Sequence, residues 1–116
     1  MNSIPQESSC LFCRIARGEL PTELVWQDDE MVAFKDVQPQ APVHVLIIPR
    51  KHYASLAHLE DDTVAGRLVS AAKKVAEKMK IGQYRLVINT GPEAGQSVFH
   101  LHLHLLAGRT MGWPPG

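Results

Sequence analysis

The sequence predicts a single α+β domain organised around a mainly antiparallel sheet, and three patterns point to it. Val64, Leu68, Ala72, Val75 and Met79 recur at gaps of three and four, the apolar stripe of an amphipathic helix. Residues 43–48 are a largely apolar run rich in β-branched side chains, as expected of a central strand. From His100 to Leu105 histidine and leucine alternate strictly, the period of a strand with two different faces.

The elements follow in order. Residues 1–9 are polar and are expected to be a flexible N-terminus, leaving residues 10–116 as one domain that includes the C-terminal tail. Leu11, Phe12 and Ile15 mark a short helix, with Gly18 as its stop. Residues 24–27 and 31–35 read as two strands joined by an Asp28-Asp29-Glu30 turn. Pro39 and Pro42 make residues 36–42 a loop, and Pro49 ends the central strand. Glu60, Asp61 and Asp62 suit the start of the long helix and Lys78 and Lys80 its end, where the helix dipole favours those charges. Gly82 closes it. Residues 84–89 form the fourth strand, 90–97 a glycine-bearing loop and 99–106 the last strand, followed by a tail without regular period.

Composition narrows the function. At 116 residues and 45% apolar content the chain can bury a real core. Twelve basic and twelve acidic residues balance, so the chain lacks the field of a nonspecific nucleic-acid or anionic-membrane binder. Any phosphate it holds must be caught by local groups. Neither a leader-like N-terminus nor an apolar run long enough to span a bilayer is present, which makes a cytoplasmic location the expectation.

Three of the six histidines fall within five residues. On a strand His100, His102 and His104 share one face, at steps of about 6–7 Å, while the leucines pack beneath the long helix. Histidine fills a strand poorly, and three on one face resist protonation together unless an anion, a metal or a proton transfer uses them. Two chemistries fit: metal binding, and attack of an imidazole on phosphorus with a second histidine assisting. Asn89-Thr90-Gly91 and Gly95-Gln96-Ser97-Val98 bracket the preceding loop, where glycines let backbone N–H groups approach an anion. Asp36 reads either as a loop-capping residue or as an acceptor for a vicinal diol. Cys10 and Cys13 have metal-ligand spacing, but two thiols do not complete a tetrahedral site.

With those residues in view, the chain resembles the histidine triad (HIT) family, and within it the Hint branch of purine nucleoside phosphoramidases. The triad motif is His100 to Leu106. Further counterparts are Asp36 to His44, Ile48-Pro49-Arg50-Lys51-His52, Gly95 to Val98, and the tail from Gly108-Arg109 to Trp113-Pro114-Pro115-Gly116. The likeness runs from Cys10 to the C-terminus.

The resemblance implies a HIT-like fold: a five-stranded antiparallel sheet with one long and one short helix, continued as a ten-stranded sheet across a homodimer. It implies hydrolysis of P–N bonds in adenosine or guanosine 5′-phosphoramidates, with release of AMP or GMP and no cofactor needed for catalysis. His102 falls at the nucleophile, which carries a covalent nucleotidyl intermediate. His104 falls at the phosphate contact, His44 at the supporting proton network, and Ser97 near the leaving group, with His100 completing the catalytic set. Asp36 would hold the ribose, and Asn89, Gly95, Gln96, Ser97 and Val98 would form the phosphate shell. Phe12, Ile15, Phe34 and Val37 would form the purine slot. Trp113 would reach the leaving-group side of the partner's site. Many bacterial relatives pair such cysteines with two histidines in a structural zinc site, here Cys10, Cys13, His52 and His100. Three other readings stay open: a dinucleoside polyphosphate hydrolase, a nucleotide-binding adaptor with weak catalysis, and a zinc-dependent hydrolase that uses the triad as ligands. Arg109 is unassigned, and His58 reads as a solvated helix residue.

Overall fold

The computed structural model describes residues 9–116, so most of the expected flexible N-terminus lies outside the described residues. Helix α1 (Leu11–Ala16) precedes strands β1 (Leu24–Gln27), β2 (Met31–Lys35) and β3 (Val43–Pro49). Helix α2 (Thr63–Lys78) and strands β4 (Arg85–Val87) and β5 (Leu103–Ala107) follow. Single 3₁₀ turns at Leu56–His58 and Pro92–Ala94 interrupt the loops. The sheet order is β1-β2-β3-β5-β4, with every neighbouring pair antiparallel. No helix among the described residues is long and apolar enough to cross a membrane.

Each face of the sheet is covered by one helix. Val64, Leu68, Ala72 and Val75 of α2 pack on Ala33, Val45, Ile47, Leu103 and Leu105. Phe12 and Ile15 of α1 pack on Val32, Phe34, Leu46 and Ile48 across the other face. β3 is therefore buried on both sides, which explains its apolar run where a one-sided strand would alternate. The leucines of the triad segment lie beneath the long helix, as the alternation predicts.

The element ends depart from the sequence reading for local reasons. Helix α2 stops at Lys78: Lys80 takes a left-handed backbone (φ +58°) and Ile81 N–H donates to the Ala76 carbonyl at 2.8 Å. Gly82 is not needed for the stop. The last strand begins at Leu103, not at residue 99. Ile47 pairs with Leu103 as the final rung of β3 and β5. Two residues on, Pro49 lacks the N–H that a continued ladder would use, and the chain before Leu103 finds other partners. Leu101 N–H donates to the Tyr53 carbonyl at 2.7 Å. Histidines 100 and 102 thus sit on a lead-in outside the β3–β5 ladder. His58 is exposed, as expected, though in a 3₁₀ turn where its Nδ1 lies 2.7 Å from Ser55 Oγ.

Where β5 leaves the sheet it turns at Gly108 (φ +94°), and a Cβ there would stand 2.8 Å from Pro42 Cβ. Gly108→Ala should therefore lower unfolding stability by about 1–3 kcal/mol, the range for a strained backbone position. Gly112→Ala, which meets nothing within 4 Å, should stay within about 0.5 kcal/mol of the parent. Thermal unfolding of both variants checks this, and equal midpoints would contradict it.

Candidate active site

Several segments converge on one cleft of about 510 Å³, a volume suited to a small-molecule ligand. Helix α1 contributes Phe12 and Ile15, the end of β2 Phe34, and the following loop Asp36 and Val37. His44 comes from β3, Gly95, Ser97 and Val98 from the glycine loop, and His102 and His104 from the triad segment. One wall is apolar, with Phe12 and Phe34 edge-on at 5.5 Å between ring centres. The other is polar.

Hydrogen bonds fix which nitrogen of each histidine carries its proton. The His100 carbonyl accepts from His102 Nδ1–H at 2.7 Å. A carbonyl can only accept, so the proton of a neutral His102 is on Nδ1 and the Nε2 lone pair is bare. The opposite tautomer is imposed next door. Gln40 N–H donates to His44 Nδ1 at 2.9 Å, so His44 carries its proton on Nε2. That nitrogen donates to His104 Nδ1 at 2.9 Å, with Asp36 Oδ2 at 3.4 Å beside it. His104 must then hold its proton on Nε2, a buried donor with no partner among the described residues. Two neighbouring imidazoles, with ring centres 5.0 Å apart, thus offer a bare nitrogen and an N–H to the same cleft.

The charge states agree with this. Burial holds His104 well below the ordinary imidazole value, at about 4, and the neighbouring His102 and His44 push the same way against Asp36. Burial also lowers His44, again opposed by Asp36. Both rings are therefore neutral near pH 7.

The glycine loop is held from beneath by Gln96. Its side-chain amide donates to the Ala54 and Val98 carbonyls at 2.7 and 3.1 Å and accepts from Gly91 N–H at 2.9 Å. Gln96 is buried and shapes the loop, whereas Gly95, Ser97 and Val98 border the cleft. Gly95 has φ +101°, and a side chain there would stand 3.5 Å from Asn89 Nδ2. Asn89 thus lies against the loop and is not part of the cleft lining.

His100 lies on the α1 side of the sheet with the other two histidines, Phe12 packing against both His100 and His102, but it does not line the cleft. Its Nε2–H donates to the Pro49 carbonyl at 2.8 Å, and its Nδ1 lies 3.3 Å from Cys10 Sγ and 3.4 Å from Cys13 Sγ. Only its carbonyl serves the cleft. His52 Nδ1 stands 3.3 Å from Cys13 Sγ, and all four ligand atoms fall within 4.8 Å of one another. Two thiols and two imidazole nitrogens match a closed tetrahedral zinc site, and the Pro49 carbonyl fixes the His100 tautomer that such a site needs. The residues fit the ion. Asp36, His44 and His104 also cluster within 4.8 Å, but both nitrogens of His44 are already hydrogen-bonded within the protein.

Trp113 is 83% exposed and lies away from this cleft, beside the Arg85 guanidinium 5.9 Å from its ring centre. Arg85 also donates to the Gly112 carbonyl at 2.9 Å, which fixes the tail along β4. Sequence reasoning did not find Thr22, Lys35, Gln38, Gln40 or Leu46, which also border the cleft. The decisive contribution of Gln40 is a backbone N–H, which any residue but proline carries. Arg109 donates to the Gln40 carbonyl at 3.2 Å and braces that loop.

Neutral buried histidines make a pH prediction. Between about 4 and 6.5 the unfolded chain binds more protons at His104 than the folded chain, so stability rises with pH through that window. It is complete above 6.5 and lost as pH falls toward 4. The urea midpoint should be lower at pH 5 than at pH 7.5, and His104→Gln should shrink the difference. A flat profile for both proteins would contradict the assignment.

Comparison with known proteins agrees with the geometry. The HIT domain family model matches residues 17–111. A HIT-like protein of Synechocystis is 55% identical, the match covering 91% of this chain and 96% of that protein. The adenylylsulfatase HINT1 of Arabidopsis thaliana is 43% identical over 97% of this chain and 80% of its own length. The crystal structure of a HIT family hydrolase from Legionella pneumophila has a TM-score of 0.88 at 47% identity, covering 93% of this chain and all of that one. With its five-stranded antiparallel sheet, two helices and histidine-lined cleft, the chain belongs to the HIT domain family.

Proposed function

We propose that this protein is a purine nucleoside phosphoramidase, a hydrolase that cleaves P–N bonds through a nucleotidyl-histidine intermediate. The observation that carries the reading is the tautomer lock on His102. A nucleophile needs a bare nitrogen in the cleft at neutral pH, and the His100 carbonyl provides one by holding the proton on the far side of the ring.

The reaction follows from that lock. His102 Nε2 attacks the α-phosphorus of an adenosine or guanosine 5′-phosphoramidate, the P–N bond breaks, and the amine leaves with a proton. Ser97, exposed on the cleft rim, would hand over that proton from its hydroxyl, which solvent then reprotonates. His104 Nε2–H and the N–H groups of the Gly95–Val98 loop meet the charge on the non-bridging oxygens. The adduct keeps its proton on Nδ1, hydrogen-bonded to the His100 carbonyl, so it is a phosphorylated imidazolium and departs as neutral imidazole. Water attacks phosphorus, loses a proton to solvent, and AMP or GMP is released. Asp36 accepts from the ribose hydroxyls, and Phe12, Ile15, Phe34 and Val37 hold the purine.

The relative named adenylylsulfatase favours a second leaving group on the same scaffold. Attack on the α-phosphorus of adenylyl sulfate would expel sulfate, which needs no proton, so loss of Ser97 should harm phosphoramidate cleavage more than sulfate release.

Zinc at Cys10, Cys13, His52 and His100 would tie α1 to the sheet and supply no step of the reaction. A homodimer would form at the β4 edge. The β1 edge is interrupted by a bulge at Val25, whose carbonyl accepts from Lys78 at 2.5 Å. β4 carries no such block, and the exposed Tyr84 and Trp113 lie along it. Through that edge Trp113 would reach the partner's leaving-group side.

Mass spectrometry of protein quenched seconds after mixing with adenosine 5′-phosphoramidate should show a transient adenylyl adduct and accumulating AMP, both abolished by His102→Ala. AMP formed equally by both proteins would overturn the nucleophile, and neither adduct nor AMP would return the protein to a binding role. Metal analysis of protein purified without chelator should find close to one zinc per chain, and under about a tenth of an equivalent would argue against the site.

A further inference from the structure

The proposed reaction makes no use of Cys10 or Cys13, yet both touch the residues that set it up. Cys10 caps α1, its sulfur accepting Cys13 N–H at 3.2 Å. It is half-buried and borders a second cleft of about 530 Å³ together with His52, Ser97 and Val98. Cys13 is buried behind it. The two sulfurs lie within 4.8 Å of each other, an accessible thiol beside a resolving one.

Two routes lead from this pair to the nucleophile. Phe12, between the cysteines in sequence, sets its ring 5.2 Å from that of His102 and lines the nucleotide cleft. His100, whose Nδ1 meets both sulfurs, gives its carbonyl to His102 Nδ1–H at 2.7 Å. A change at the sulfurs therefore reaches His102 through one ring contact and one hydrogen bond.

We propose that Cys10 and Cys13 are a reversible modification site, whose disulfide pulls the sulfurs off His100 and disturbs the lock on His102. The effect on turnover rests on the nucleotide reading above; the effect on His102 itself does not. With hydrogen peroxide as oxidant, the Cys10 thiolate attacks one peroxide oxygen, the O–O bond breaks, and a sulfenic acid forms as hydroxide leaves. The Cys13 sulfur then attacks Cys10 sulfur, the S–O bond breaks, and the departing hydroxide takes up the Cys13 proton. Two thiols and one peroxide give one disulfide and two waters, the sulfurs losing two electrons that reduce the peroxide. Any zinc held by the thiolates is released, and a dithiol reverses the step.

The test follows the purified protein before and after peroxide and again after dithiothreitol. Intact mass should fall by about 2 Da for the disulfide, and a chelating dye should detect zinc leaving the zinc-loaded protein. The imidazole Nδ1–H resonance of His102 should shift or broaden and then return on reduction. AMP affinity, measured by calorimetry, should fall at least tenfold and recover. Cys10→Ser keeps a hydrogen-bond acceptor at the cap and should show none of these responses, as should Cys13→Ser. An unchanged His102 resonance in protein that has lost the 2 Da overturns the coupling, as does equal peroxide sensitivity in both serine variants. Absence of the 2 Da loss overturns the site itself. A reduced protein that never binds AMP would condemn the nucleotide reading alone, because the His102 resonance still decides the coupling.

Discussion

The hydrogen bond from His102 Nδ1–H to the carbonyl of His100 organises this site. At 2.7 Å it spans only two residues, and it forms because the chain before Leu103 has left the sheet ladder and its carbonyls are available to side chains. That departure follows from Pro49, which cannot continue the ladder but whose own carbonyl receives His100. The end of β3 thus decides where β5 begins, where the His100 side chain goes, and which nitrogen of His102 is bare. A ladder continued through residues 100–102 would engage the His100 carbonyl and leave the His102 tautomer undetermined.

The opposite proton pattern on His44 and His104 has a separate origin, a backbone N–H at Gln40 held by the loop between β2 and β3. Neighbouring rings are thereby set to complementary tasks, one to give electrons and the other to donate a hydrogen bond. Burial keeps His104 neutral, so this ring offers an anion a directed N–H and no positive charge. This suits a protein of zero net charge, in which phosphate must be caught by placed donors.

Much of this was legible in the sequence. The α2 stripe, the apolar run of β3 and the leucine alternation each reflect burial periodicity, and the core forms where they place it. The lining of the cleft by Asp36, His44, Ser97, His102 and His104 was anticipated from motif strings. What periodicity could not carry was the division of labour within the triad. The three rings share the α1 side, but His100 meets the two thiols while only His102 and His104 line the cleft. Nor could it show that Gln96 faces inward to clamp its loop, or that Gln40 acts through its main chain, because backbone donors leave no mark on residue identity.

The account stands on two tautomers, and nitrogen-15 NMR of the histidine rings at neutral pH reads them directly. His102 should appear with a protonated Nδ1 and a bare Nε2, and His104 with the reverse, a bare Nδ1 and a protonated Nε2. Finding His102 protonated on Nε2, or the two rings in the same form, would contradict the lock and remove the basis for the nucleophile.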